Sequence, residues 1–336
     1  MKQGDLVIRS SYGGDVVFRI ESLFANSAVI KGIDYRLLAD APVADLSIVD
    51  DPDQTAASRQ VRLKVYETTK RMREGMAQQS LEADFNRRDS SPDASSSSYF
   101  EIPGKVLHLD GDPNYMRKSM ELYTQLRVPA HGIYAHESQM ADLLYRMLPQ
   151  VKPDIVVITG HDGLLKHRRS TELYSLSSYK NSQHFVNAVG VAREYEKNKD
   201  GLIVVAGACQ SHYEALLQSG SNFASSPGRI LIHALDPVYI AIKASYTSIR
   251  EPVQLGDVIQ GTISGIDGIG GIETLGRYRI GLPKPKMSAV SETQSFSAAG
   301  PQPSGPSMVN PAVPPQAVPV QAPYPPYAPK PNSYYV

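Results

Sequence analysis

DIVVITGHDG, residues 154–163, and LIVVAGACQS, residues 202–211, share one design: a near-continuous apolar run of strand length, a glycine, then polar and reactive residues. A strand with one wet face would alternate apolar and polar side chains. These two do not, so both of their faces are covered, which is the pattern of parallel strands inside an α/β sheet. Working outward, KVLHLD (105–110), HGIYAH (131–136) and RILIHA (229–234) read as further strands. The segments between them carry apolar residues at three- and four-residue spacing, as at Met116, Met120 and Tyr123. Alternating strand and helix signals predict a parallel sheet flanked by helices over residues 101–284. In such sheets functional residues collect in the loops at the C-terminal ends of the strands.

The rest of the chain has a different grain. In residues 1–50 short apolar segments, LVIR, VVFRI and AVIKGI, are broken by Gly13-Gly14, Asn26-Ser27 and Gly32. That spacing predicts a small SH3-like β-barrel. Residues 51–100 read as a linker: VRLKVYETTKRM has helical spacing, and Ser90–Ser98 cannot bury enough apolar area to order itself. VIQGTISGIDGIGGIETLGRYRIGLP, residues 258–283, is rich in glycine and reads as hairpins appended to the sheet. Residues 285–336 form a proline-rich tail interleaved with Tyr324, Tyr327, Tyr334 and Tyr335, expected to be disordered or polyproline-like.

Composition narrows the function classes. The 34 Lys and Arg balance the 34 Asp and Glu, so no overall charge draws the chain to nucleic acid or an anionic membrane. The Arg and Lys concentration at 59–73 and 87–88 reads as a solvated helix face. One cysteine excludes an internal disulfide framework, and no cysteine cluster has zinc-site spacing. No metal or other cofactor is called for. The N-terminus lacks the apolar core of a signal peptide and no run of about 18 apolar residues occurs, so the expectation is a soluble protein without membrane insertion.

The chemistry is read from the two opening segments. One strand runs into His161-Asp162-Gly163 and the other into Cys209. A thiol attacks an amide carbonyl as thiolate and needs a group that takes its proton, and imidazole suits neutral pH. Neighbouring parallel strands lie about 4.8 Å apart, so loops past their ends can face one another. The oxyanion formed by attack needs N–H donors, for which Gly163 and Cys209 itself are candidates. His212 is an alternative base, and Gln210 and Ser211 are expected to begin the next helix.

Apolar strand, His, Gly, then a second apolar strand and Ala-Cys roughly 50 residues on resembles the caspase, clostripain, gingipain and legumain group of cysteine peptidases. In detail, GDLVIRSSYGGDVVFRI, GHDG and GACQSHYEAL resemble the YabG family of sporulation-specific peptidases. The resemblance implies a caspase-like core, Cys209 as nucleophile, His161 as base, spore coat or cortex-associated proteins as substrates, in the developing spore, and self-cleavage, for which the basic residues between about Arg59 and Arg88 are the expected place. The chain departs from the wider group in two places. Asp162 stands between the base and the glycine, and Gly207 stands where arginine-specific members carry an acid two residues before the nucleophile. A carboxylate for a basic substrate side chain would then come from Asp110, Asp112 or Asp236.

Other readings stay open at this stage. HLDGDPNY resembles the two-carboxylate entry of haloacid dehalogenase-like phosphatases, with Asp110 and Asp112 as the pair and Thr159 as the second motif. A receiver domain lacks its phosphoacceptor, since Thr159-Gly160 ends the third strand. The Pro and Tyr tail suits a non-catalytic coat scaffold that keeps the fold without activity.

Overall fold

A computed structural model of the chain describes residues 1–51, 55–90, 100–165 and 173–281, and of 79–90 only the backbone. The Ser-rich segment from Ser91 and the tail from 285 lie outside the described residues. The central element is a six-stranded sheet. In spatial order it holds β12 (Ile269–Gly271), β11 (Phe223–Ser225), β10 (Ile203–Ala206), β9 (Ile155–Thr159), β7 (Val106–Asp110) and β8 (Ala130–Tyr134). All neighbours pair in parallel except β12, which runs antiparallel to β11.

Both faces of this sheet are covered, as the unbroken apolar runs require. Val106, Ile155, Val157, Ile203 and Val205 point to one side, where they meet Leu122 and Tyr123 of α2 (Pro113–Gln125) and Val238 and Ile242 of α6 (Asp236–Tyr246). Leu107, Leu109, Val156, Ile158 and Val204 point to the other side, against Met140, Leu144 and Leu148 of α3 (Met140–Val151) and Phe185, Ala188, Val189 and Ala192 of α4 (Ser182–Tyr195). The period of two in the strands and of three to four in the helices thus builds two cores on one sheet. Helix α2 starts where it does because the Asp112 carboxylate accepts from the Asn114 and Tyr115 amides, with Pro113 at the first helical position.

Ahead of this body lies a five-stranded antiparallel sheet in the order β4 (Leu38–Pro42), β3 (Ser27–Gly32), β2 (Val17–Leu23), β1 (Leu6–Arg9), β5 (Leu46–Ile48). Val7, Phe18, Ile20, Ala28 and Ile30 form its own small core. Most of the expected linker segment falls in one long helix, α1 (Ala56–Ser90), whose Val65, Met72 and Met76 pack against the α6 side of the central sheet. It is therefore docked along part of its length, not solvated all round.

Two expected elements are corrected. RILIHA is not a strand of the sheet: its only ladder contact among the described residues is an isolated antiparallel bridge from His233 to Tyr35, and Arg229 at its start has positive φ. Its apolar residues are explained by burial between two bodies: Ile232 is fully buried with its amide on Cys209 Sγ, and Leu231 packs against the core of the N-terminal sheet. The strand that fills the expected position is the three-residue β11, too short to leave a periodic signal. Nor is the glycine-rich region a set of hairpins. It gives α7 (Leu255–Gln260), a short α8 (Gly265–Gly268), the antiparallel β12, and β13 (Arg279–Gly281), which pairs with β6 (Phe100–Ile102).

Candidate active site

Strands β9 and β10 are neighbours with Ile158 opposite Ala206, and the Gly207 amide still donates to the Ile158 carbonyl at 3.0 Å. His161 and Cys209 each follow that paired position by three residues, so both emerge at the C-terminal edge of the sheet from adjacent strands. The turn after β10 depends on Gly207, whose φ is 110° and where a Cβ would come 2.8 Å from Leu216 Cδ1 and 3.0 Å from Ser225 Cβ. A carboxylate at 207 has neither the backbone nor the space, which gives the departure from the arginine-specific pattern its physical reason.

His161 is buried between two carboxylates. Its Nε2 is 3.5 Å from Asp112 Oδ2 and its Nδ1 is 3.6 Å from Glu137 Oε1, while its backbone N–H donates to the same Glu137 oxygen at 2.8 Å. Glu137 lies in the turn after β8, and its Oε1 presses on the backbone so closely that a Cβ at Gly111 or Gly160 would meet it at 2.2 or 2.5 Å. Burial pushes the Glu137 carboxyl up, but the His161 ring and amide outweigh it and hold the group below the usual glutamate range. The Tyr115 ring leans on the imidazole at 5.6 Å between centroids. Nε2 itself has no hydrogen-bond partner among the described residues. An orphaned buried nitrogen is uncommon and costs about 1–3 kcal/mol, so it asks for a function.

Asp162 ties the two loops together. Its Oδ2 accepts from Ser211 at 2.9 Å and from Ser182, and its Oδ1 accepts the amides of Gly163 at 2.9 Å and Asn181 at 2.8 Å. Burial pushes its carboxyl up against the pull of those donors. Gly163, expected as an oxyanion donor, thus has its N–H on the Asp162 carboxylate in this structure. Ser211 in turn accepts the Ala208 amide, closing the loop that carries Cys209.

Cys209 is fully buried. Its Sγ accepts the Ile232 amide at 3.2 Å and lies 3.6 Å from the Ile232 carbonyl, while the Gln210 amide donates to Ile230 at 3.1 Å. The 230–232 segment therefore lies over the thiol. Burial pushes the thiol up to about 12, with the Ile232 hydrogen bond pulling weakly the other way.

The three candidate substrate acids have separate surroundings. Asp110 is fully buried and takes Arg36 Nη1 at 2.8 Å, the Thr159 hydroxyl at 3.3 Å and the Asp112 amide at 2.9 Å. Burial works against its charge, and the Arg36 guanidinium overcomes that and holds its carboxyl well below the usual range. Asp112 caps α2 with one oxygen and turns the other to His161 and to Lys31 Nζ at 3.4 Å. The phosphatase reading needs Asp110 and Asp112 to converge, and they serve different partners here. Asp236 accepts the amides of His233, Ile263 and Ser264, and burial pushes its carboxyl up to about 6. His212 caps α5 (Tyr213–Gln218) through the Ala215 amide and places Nε2 3.0 Å from the Tyr174 carbonyl. A groove lined by Thr68, Met72, Met76, Ile242 and Tyr246 contains neither His161 nor Cys209.

Sequence reasoning passed over Glu137, Arg36 and Tyr115. Glu137 had a signal, since it follows the end of a predicted strand, as His161 and Cys209 do. Arg36 and Tyr115 had none, because only the docking of the N-terminal sheet brings Arg36 to Asp110.

The YabG peptidase U57 family profile matches residues 2–283. The sporulation-specific protease YabG of Bacillus subtilis (strain 168) is 39% identical over 285 residues, covering 83% of this chain and 97% of that protein. No solved structure shows a significant match. With a match spanning the N-terminal sheet, the His161 loop and the Cys209 loop alike, the chain belongs to the YabG family of peptidases.

Proposed function

We propose that this peptidase is a cysteine endopeptidase acting on proteins of the developing spore, with Cys209 as nucleophile and His161 as proton carrier. The observation that carries the reading is the emergence of both residues, level with one another, from neighbouring parallel strands, one of them with a buried nitrogen awaiting a partner. His161 takes the thiol proton as Sγ bonds to the substrate carbonyl carbon, whose π electrons move to oxygen. The Cys209 amide, and the Gly163 amide once turned from Asp162, receive that oxyanion in this reading. The imidazolium then gives its proton to the leaving amine as the C–N bond breaks, and water hydrolyses the thioester. Glu137 steadies the imidazole from its Nδ1 side.

Asp110 is the acid best placed for a basic substrate side chain, because it sits at the same rim and already holds a guanidinium. Spore coat or cortex-associated proteins are the substrates the family resemblance favours. No cofactor takes part. The same reading carries the caspase-like description of the central sheet and the SH3-like description of the N-terminal one. Self-cleavage between Arg59 and Arg88 belongs to it too, and requires α1 to unwind locally, since a peptidase takes its substrate extended.

The second reading, a coat scaffold without activity, is favoured by the complete burial of Cys209. Cys209→Ala and His161→Ala proteins decide between them, assayed for coat-protein processing and for labelling by a thiol-directed peptide probe ending in arginine. The peptidase reading expects loss of processing in both. Unchanged processing in Cys209→Ala leaves the scaffold. Residual activity in His161→Ala alone shows that another group activates the thiol.

A further inference from the structure

The loop joining β3 to β4 does something the N-terminal sheet does not need. Arg36 at its tip is fully buried, yet every polar contact of its guanidinium is made with the central body: Nη1 with Asp110 at 2.8 Å, Nε and Nη2 with the Ala234 carbonyl at 3.1 and 2.7 Å. The guanidinium carbon lies 5.1 Å from the centre of the Tyr115 ring, the ring that leans on His161. The backbone around Arg36 is held as well. Its amide donates to the Ile232 carbonyl at 3.1 Å, the Ala234 amide donates to the Asp34 carbonyl at 2.7 Å, and Tyr35 pairs with His233 antiparallel. The Tyr115 hydroxyl reaches the Gly32 and Tyr35 carbonyls.

Ile232 is also the residue whose amide meets the Cys209 sulfur. One short segment, Ile232–Ala234, therefore has the thiol against its first residue and the β3–β4 loop paired to it through one antiparallel bridge and two backbone hydrogen bonds, with the loop turning at Arg36 to sink that side chain beside a carboxylate. Peptides are recognised in this way by sheet edges: main-chain hydrogen bonds give the grip and a pocket for one side chain gives the selectivity. Burying a guanidinium is expensive without a full set of partners, and here the partners are those that a substrate arginine would use.

We propose that residues Asp34–Leu37 are an internal occupant of the peptidase cleft, with Arg36 filling the pocket for the substrate's basic side chain and Ile232–Ala234 serving as the edge on which the substrate backbone pairs. This rests on the cysteine-peptidase reading above. A protein substrate with a suitably presented basic residue then has to displace the loop, and the N-terminal sheet is a cap on its own enzyme.

The test uses the full chain, wild type and Arg36→Ala, with a peptide aldehyde ending in arginine and a thiol-directed probe of the same sequence. Arg36→Ala is expected to raise the rate of Cys209 labelling at least tenfold, and millimolar methylguanidinium to reverse that gain in the variant only. In wild type, hydrogen exchange should rise in residues 33–37 when the aldehyde binds, while Ile232–Ala234 stays protected under the new occupant. Equal labelling of the two proteins, with aldehyde bound and exchange at 33–37 unchanged, overturns the proposal and leaves the peptidase reading intact. No Cys209-dependent labelling in either protein overturns the peptidase reading and the proposal with it. If circular dichroism shows Arg36→Ala unfolded, the exchange arm on wild type decides alone.

Discussion

The two loops that end β9 and β10 are prepared differently. The loop after β9 holds its imidazole among charges, with Glu137 beside Nδ1 and Asp112 beside Nε2, which makes no hydrogen bond among the described residues. The loop after β10 holds its sulfur buried under the 230–232 segment, where burial pushes the thiol up. On the cysteine-peptidase reading, control of reactivity lies with the sulfur's surroundings, because a thiol so raised reacts only when its cover moves.

The largest test of that contrast is chemical. At pH 8 the native chain should be alkylated by iodoacetamide about 1,000-fold more slowly than the denatured chain, given a thiol near 12 instead of 9. A native rate equal to the denatured one means that the cover over Cys209 is not held in solution. On the other loop, Glu137→Gln keeps an oxygen for the His161 amide but removes the negative charge beside the ring. We expect kcat to fall about 100-fold with little change in KM, less than the roughly 10,000-fold loss when the orienting acid of a serine-peptidase triad is neutralised. An unchanged kcat would make Glu137 a backbone clip only.

The cover itself has a titration that sharpens the picture. Burial lowers His233, next to Ile232, from 6.5 to about 4, so its contribution is complete above pH 6.5 and is lost as pH falls toward 4. Asp236, bonded to the His233 amide, is raised from 3.8 to about 6, so it acts with the opposite sign and costs stability as pH rises through 6. Between pH 7 and 5 the two nearly cancel. Asp236→Asn removes one of them, and its unfolding free energy should then drop by about 2 kcal/mol over that range while wild type changes by less than about 1 kcal/mol. Parallel pH profiles would separate the pair. The smallest effect is expected at Gly207→Ala, about 1–2 kcal/mol in denaturant unfolding, from a φ of 110° and two close side-chain neighbours.

How much of this was legible depended on range. Strands β7, β9 and β10 were readable because each is a fully buried, mostly apolar run, and the order of His161 and Cys209 followed from where the last two stop. Segment 229–234 carried the same apolar signal for another reason, compression between two bodies, and local pattern does not tell the two causes apart. β11 failed the other way, holding its place by pairing with β10 with only three residues to show for it. At the site, Asp162 was visible as an interruption but not as the bridge to Ser211, since that bond spans 49 positions. Arg36 and Asp110, 74 positions apart, meet only once both sheets exist.

The short β6–β13 ladder sets Phe100 opposite Gly281, with a Cβ at 281 excluded by the Phe100 ring at 2.1 Å. The contour of the body from 100 to 281 is thereby a closed circuit, its first and last strands clasped. Rejoining Gly281 to Phe100 through a brief linker and opening the chain at an exposed bend should give a permuted body that retains its architecture. The segments before that clasp are then held to the body by docking contacts, Arg36 on Asp110 and Val65, Met72 and Met76 on the α6 side, and not by the path of the chain.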